Sequence, residues 1–326
     1  MDMYVGLDLG GTTTQAAIAA ADGRIVAERS VPTLSHEGPQ RVLARMGQLV
    51  HDLAIAAGAS PVACGVGVPG LLDLKAGKTM FLPNFPTNWR DVPIWDMLAA
   101  EAGCRVHLLN DVRTATLGEM MFGRGRHANT MAFFAIGTGI GGGVVVDGKL
   151  RLGPLGAAGE LGHQIILPDG PRCGCGNRGC LEALASAPAI AAEGVRLLLS
   201  GQAPQLYEIV GGDPGRVSTQ TMAQAARQGD ARVAEAITRA AGYIGIGVVN
   251  VVVTLHPDLV VLGGGAAAIG DLLLDTVCAT VRQRIGMFPT DGVRIETSEL
   301  GDRAGVLGAI ALAIHGGHDK SFERKV

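Results

Sequence analysis

A pattern that occurs twice constrains this chain more than any other feature. Residues 3–8 read as a buried strand that runs into Gly10-Gly11-Thr12-Thr13. A second apolar run follows over residues 15–21, then an Asp22-Gly23 turn and a strand over residues 24–31. From Thr130 the same order returns: a strand to Ile136, Gly137-Thr138-Gly139, a strand over residues 142–146, then Asp147-Gly148. A strand, glycine loop, strand and tight turn repeated at this separation imply two similar α/β halves, each opening on an antiparallel ribbon. Helical periodicity fills the intervals at 40–57, 94–102, 114–122, 188–199, 219–228, 232–255, 270–285 and 305–315. Short apolar strands are expected at 63–68, 106–109, 259–262 and 293–297. The 326 residues suit two domains. No Pro- or Ser-rich linker separates them, so they are expected to share a tight cleft.

Charge excludes some functions. Lys and Arg number 27 against 30 Asp and Glu, a net charge of −3, without the basic face that nucleic acids or anionic membranes require. The short basic tail from Lys320 to Lys325 reads as a solvated terminus. An acid stands near the N-terminus where a secretory signal carries basic residues. The longest uncharged apolar stretch, residues 240–255, is shorter than a membrane span. A cytoplasmic protein is the expectation.

Glycine accounts for 49 residues without a three-residue period, and 48% of the chain is hydrophobic, so the glycines belong to a packed protein and mark special backbone positions. Gly137 to Gly142 fits the dinucleotide pattern G-x-G-x-x-G, but Val144-Val145-Val146 and a turn follow where a helix is required. Gly143 to Lys149 fits G-x-x-x-x-G-K, but Leu150 replaces the hydroxyl residue that holds magnesium. Both matches are rejected. What remains is a pair of Gly/Thr hairpin loops. Their backbone N–H groups can turn toward phosphate oxygens, and Asp8 at the mouth of the first can hold Mg²⁺. Either loop alone is equally consistent with a tight turn that binds nothing. Two matched loops and a third cluster at Gly263-Gly264-Gly265 favour a nucleotide.

The strand over residues 106–109 ends in Asn110-Asp111. At the carboxyl end of a strand, Asp111 is placed to accept a proton from a substrate hydroxyl that Asn110 fixes. Taken alone, Asn-Asp is more simply a helix cap. Cys64, Cys104 and Cys278 stand apart in apolar surroundings and read as small buried residues. His163, Cys173, Cys175 and Cys180 supply the three thiols and one imidazole of a closed structural Zn²⁺ site, with Gly174, Gly176 and Gly179 as turns between the ligands. Such a metal can brace a loop presenting Glu160, His163 and Glu182 to a polyhydroxylated ligand. A solvated surface is the other reading of the glutamates.

Asp8-Leu-Gly-Gly-Thr-Thr, Asn110-Asp111, Gly137-Thr-Gly-Ile-Gly-Gly-Gly, Gly159-Glu-Leu-Gly-His163 and Cys173-Gly-Cys-Gly-Asn-Arg-Gly-Cys180-Leu-Glu182 occur in that order. Together they resemble the ROK family, specifically its bacterial glucokinase-like sugar kinases, over nearly the whole chain. The resemblance implies an actin-like ATPase (ribonuclease H-like) fold, two similar α/β domains around a cleft. Residues 1–113 with about 302–326 would form the smaller domain. Residues 114–301, carrying the zinc-binding loop, would form the larger.

The resemblance also implies ATP-dependent phosphorylation of a hexose, foremost glucose to glucose 6-phosphate. Asp111 would be the general base, and Asn84, Asn110, Asp111, Glu160, His163 and Glu182 would contact the sugar. Asp8, Gly10, Gly11, Thr12, Thr13, Gly137, Thr138 and Gly139 would face the phosphates, with Gly264 and Gly265 near the adenosine. Zinc would sit on His163, Cys173, Cys175 and Cys180, and a homodimer or homotetramer is expected. Glucokinases of this family usually carry Pro-Asn-Leu shortly before a Trp. Here Pro83-Asn84-Phe85-Pro86-Thr87-Asn88-Trp89 offers Phe for Leu and two asparagines, of which Asn84 is the closer match. A kinase for fructose, allose or N-acetylmannosamine is one alternative, and a sugar-sensing regulator that binds without catalysis is another. The regulators of this family carry a helix-turn-helix before the kinase-like region, and here the first strand starts at Met3.

Overall fold

The computed structural model describes residues 2–82, 85 and 89–317. Asn84 and Asn88, and the basic tail from Lys320, lie outside the described residues. In chain order the regular elements begin with β1 (Met3–Leu9), β2 (Thr13–Ala20), β3 (Ile25–Pro32), α1 (Pro39–Ala57), β4 (Ala63–Val68), β5 (Leu71–Asp73) and β6 (Lys78–Phe81). Then come α2 (Ile94–Ala102), β7 (Arg105–Asn110), α3 (Asp111–Phe122), β8 (Met131–Ile136), β9 (Ile140–Val146), β10 (Lys149–Leu150), α4 (Leu181–Ala185), α5 (Ala187–Leu199) and α6 (Pro204–Val210). The chain ends with α7 (Thr219–Arg227), α8 (Ala231–Leu255), β11 (Leu259–Gly263), α9 (Asp271–Arg284), β12 (Arg294–Thr297) and α10 (Ala304–His315).

The repeat in the sequence is a repeat in topology. The first five-stranded sheet has the order β3-β2-β1-β4-β7 and the second β10-β9-β8-β11-β12. Each is an antiparallel ribbon whose first strand is joined by two parallel strands. The Asp-Gly pairs close the hairpins with left-handed residues: Gly23 has φ 82°, and Asp147 and Gly148 have φ 54° and 67°. The rejected 143–149 match is therefore a hairpin.

By compactness the chain divides into two units, one of residues 1–129, 143–159 and 299–326, the other of 130–142 and 160–298. The first takes in all of α3, where the sequence suggested a boundary at 113, because α3 packs along α10. Both helices carry glycine at that contact. A Cβ on Gly308 would lie 1.7 Å from the Thr114 carbonyl oxygen, and one on Gly118 would lie 2.4 Å from that of Ala304. Gly6 and Gly65, paired on β1 and β4, do the same for the sheet face, where a Cβ would strike the Val306 and Ala309 oxygens. The helix backbone thus lies directly against sheet and helix. Residues Ala304 to Ala313 are all buried. Across the sheet, Val42, Leu43, Met46, Leu49, Val50 and Leu53 of α1 pack with Val5, Leu7 and Leu9 of β1.

In the second unit the core forms between β8, β11 and helices α4 to α9, with Phe134, Ile136, Leu262, Ile237, Ile244 and Val277 among its members. At 25 residues, α8 is longer than the apolar stretch suggested, and it is apolar enough to cross a membrane. Its apolar face, including Val233, Ile237, Ile244, Val248 and Val252, is part of this core instead. Among the lone cysteines Cys64 is buried, whereas Cys104 and Cys278 are only half-buried.

Candidate functional site

In the first unit the parallel register sets Asp8 opposite Gly67, and Val68 opposite Asn110, so three strands end at one sheet edge. The sequence pattern placed the helix after Asn110 at residue 114. It starts at Asp111, because the Asn110 side chain caps it, Oδ1 accepting the N–H groups of Val112 and Arg113. Asn110 is therefore a cap, as its chemistry alone suggested, and it stands beside Asp111 at the sheet edge as well.

The Asp8 carboxylate is hemmed in by two glycines. A Cβ on Gly305 would lie 2.2 Å from its Oδ2, and one on Gly67 would lie 3.3 Å from its Oδ1 and 3.4 Å from the Asp111 Cα. Burial of this carboxyl, and then the charge of Asp111, push its pKa from 3.8 up to about 7. An enclosed acid beside a second acid suits a cation that both can share.

Next to it the Gly10–Thr13 turn is drawn tight. Gly10 N–H donates to the Thr13 oxygen at 3.0 Å. The buried Thr33 donates its hydroxyl to the Gly10 oxygen at 2.7 Å and shares a 2.9 Å hydrogen bond with Thr14. Thr12 and Thr13 are exposed at the tip. Among the described residues, the Gly11 and Thr12 N–H groups have no backbone acceptor.

The second unit repeats this edge. In the Gly137–Gly139 turn, Gly137 N–H donates to the Gly139 oxygen at 2.8 Å, and Thr138 is exposed. Gly264, at φ 81°, passes so close to the end of β8 that a Cβ would lie 2.6 Å from the Ile136 oxygen. The two glycine clusters, 137–139 and 263–265, therefore meet at the ends of the paired strands β8 and β11.

His163, Cys173, Cys175 and Cys180 converge, with ligand atoms all within 4.8 Å of one another. Two glycines make this convergence. Gly176 and Gly179 have φ 94° and 66°, and a Cβ on Gly179 would fall 1.6 Å from the Leu167 oxygen. Gly174, expected to act likewise, has open space and no left-handed backbone. Burial pushes the Cys173 thiol up to about 12 and raises Cys180, while the Asn177 backbone N–H lowers Cys175. Three thiols and an imidazole at this separation are a four-ligand donor set that fits a zinc ion.

His163 Nδ1 lies 3.7 Å from Cys173 Sγ and its Nε2 lies 3.9 Å from Glu160 Oε2, so the ring faces the cluster with one nitrogen and a carboxylate with the other. Glu182 is engaged in a different direction from Glu160. Its Oε2 accepts the Ile140 N–H at 3.0 Å, and its Oε1 lies 3.5 Å from Cys173 Sγ. That carboxylate fills the space where Gly139 lacks a Cβ, which would lie 2.4 Å from Oε2. Glu182 thus connects the cysteine cluster to the glycine turn.

Sequence reasoning missed Gly67 and Gly305, since a glycine in a strand or at a helix start carries no mark of what it makes room for. It also missed Arg113, 2% exposed at the start of α3. A charge three residues beyond Asn110 in an otherwise apolar stretch was the available signal.

The ROK family model matches residues 4–315. The glucokinase of Thermotoga maritima is 37% identical over 320 residues, covering 94% of this chain and 96% of that protein. A ROK family glucokinase from Streptomyces griseus, solved with glucose and AMPPNP, matches with a TM-score of 0.84 at 30% identity, over 95% of this chain and 99% of that one. The ROK hexokinase of Thermus thermophilus matches with a TM-score of 0.81 at 34% identity, over 95% and 97%.

Proposed function

The chain belongs to the ROK family, and from that premise we propose that it transfers the γ-phosphoryl group of ATP to a hexose, glucose foremost. It is an ATP-dependent hexose kinase with the actin-like ATPase fold of its relatives. One observation carries the catalytic reading: Asp8 and Asp111, an enclosed acid and its neighbour, stand at one sheet edge beside the Gly10–Thr13 turn.

Phosphoryl transfer passes through a loose transition state, so the protein contributes mainly position and charge. In our reading Asp111 accepts the proton of the attacking hydroxyl, most simply that on C6, and Asn110 holds the sugar beside it. The N–H groups of Gly11 and Thr12 and the threonine hydroxyls donate to phosphate oxygens, as do the N–H groups of Thr138 and Gly139 and the Thr138 hydroxyl, while Gly137 closes the turn with its own N–H. Gly264 and Gly265 leave room for the adenosine. Glu160, His163, Glu182 and Asn84 are the further residues that would contact the sugar.

Bound magnesium supplies charge neutralisation across the β- and γ-phosphates, and Asp8 is the residue that would hold it. Zinc on His163, Cys173, Cys175 and Cys180 supplies structure by closing residues 163–180 into one piece. Assembly as a homodimer or homotetramer and a cytoplasmic location complete the reading.

A coupled assay of ADP release over a panel of sugars tests it. Glucose is expected to give the highest kcat/KM among glucose, fructose, allose, mannose and N-acetylmannosamine. ADP release with none of them overturns the kinase reading.

A further inference from the structure

Arg113 is among the largest fully buried side chains of the protein, with 2% of its surface exposed. A buried guanidinium is costly unless its donors are met by acceptors. Its Nε donates to the Ala158 oxygen at 3.1 Å and its Nη1 to Asn110 Oδ1 at 3.1 Å. Asn110 Oδ1 also accepts the Val112 and Arg113 backbone N–H groups, at 3.1 and 3.2 Å. Three donors on one amide oxygen decide which way the carboxamide is turned, because the reversed amide would bring N–H groups against N–H groups. Asn110 Nδ2 donates one hydrogen to the Gly70 oxygen at 2.9 Å. Among the described residues none takes the second.

We infer that Arg113 is a positioning residue for sugar binding: it locks the Asn110 carboxamide so that the side chain offers substrate a single N–H donor beside the Asp111 carboxylate. The two backbone N–H groups belong to the first turn of α3 and hold Oδ1 only as a cap. The guanidinium adds a charge-assisted side-chain donor to these two, and it is itself anchored outside the helix, at the Ala158 oxygen. The ligand group at Asn110 must therefore accept a hydrogen bond, while the one at Asp111 must donate. Vicinal or terminal hydroxyls of a sugar meet both demands, since a hydroxyl does either. The inference rests on the hexose-kinase reading and adds a residue which that reading does not contain.

Steady-state kinetics on the full chain with glucose and MgATP tests it, once the wild type has been shown to release ADP with glucose. A wild type inactive on every sugar counts against the kinase reading; the variants below count only against Arg113. Arg113→Ala is expected to raise the glucose KM at least tenfold while the ATP KM stays within twofold. Added guanidinium ion, at millimolar concentrations too low to unfold the protein, is expected to restore part of the loss. Asn110→Asp keeps the oxygen that caps α3 and removes the donor, so it is expected to match the rise in glucose KM, with a lower melting temperature because the hydrogen bond to the Gly70 oxygen is lost as well. Should Arg113→Ala fail to fold, Arg113→Lys takes its place; it keeps the charge but cannot reach both acceptors, and an intermediate glucose KM is expected. A glucose KM within twofold of wild type in the folded Arg113 variant overturns the inference. So do equal rises in the glucose and ATP KM values, and so does a normal glucose KM in Asn110→Asp.

Discussion

Asp8 is held in a place that suits its protonated form, and Asp8→Asn measures by how much. In the folded protein its pKa is raised to about 7, whereas a free aspartate titrates at 3.8. An acid with a raised folded pKa contributes most to stability below the unfolded value, and that contribution is lost as pH rises toward the folded value. The gap of about three units at 1.36 kcal/mol per unit sets a ceiling of about 4 kcal/mol. Asp8 as a residue is half-buried, so solvent reaches part of the site and reduces the effect. We therefore expect about 1–3 kcal/mol between pH 5 and pH 7.5. Asparagine has the same shape and no charge, so the stability of Asp8→Asn minus that of wild type should climb through this window and level off above pH 7. Any fixed cost of the amide itself shifts this curve without changing its slope. The two tryptophans of the chain, Trp89 and Trp95, both belong to the first unit. Their fluorescence in urea, without metal or nucleotide, therefore reports the unit that contains Asp8. A difference curve that stays flat from pH 5 to pH 7.5 refutes the enclosure argument.

Asp111→Asn is expected to keep the glucose KM within a few-fold and to lower kcat by about 10²–10⁴, the usual contribution of a general base; near-normal turnover removes Asp111 from that role. Gly308→Ala puts a Cβ where the Thr114 oxygen stands, 1.7 Å away, and is expected to cost about 1–3 kcal/mol or more in urea unfolding, with no loss if α3 and α10 can separate freely. Elemental analysis of unchelated protein should find one zinc per chain, and Cys175→Ser should lower that content and the melting temperature together; wild-type protein without zinc counts against the site.

Much of this protein was legible in its sequence. The doubled strand-loop-strand pattern depends on backbone chemistry within a few residues, and it foretold two sheets of one topology. The Cys/His cluster was legible for the same reason, since Gly176 and Gly179 bend the chain within the cluster itself. The pattern did not foretell that α3 begins at Asp111, because a cap outweighs apolar periodicity at the first turn. Nor did it show the short α4, α6 and the β5–β6 hairpin, whose few residues have too little period to read.

The rest depended on partners far apart in the chain. Gly67 and Gly305 enclose Asp8 from a strand about 60 residues away and a helix about 300 residues away. Arg113 meets Ala158, 45 residues on, and turns Asn110 in doing so. Glycines without individual meaning in the sequence became the surface on which α10 lies. Local patterns record what a residue does to its own backbone. Which side chain fills the space that a glycine leaves empty is decided only when distant segments pack, and that packing sets the environment of the acids at the candidate site.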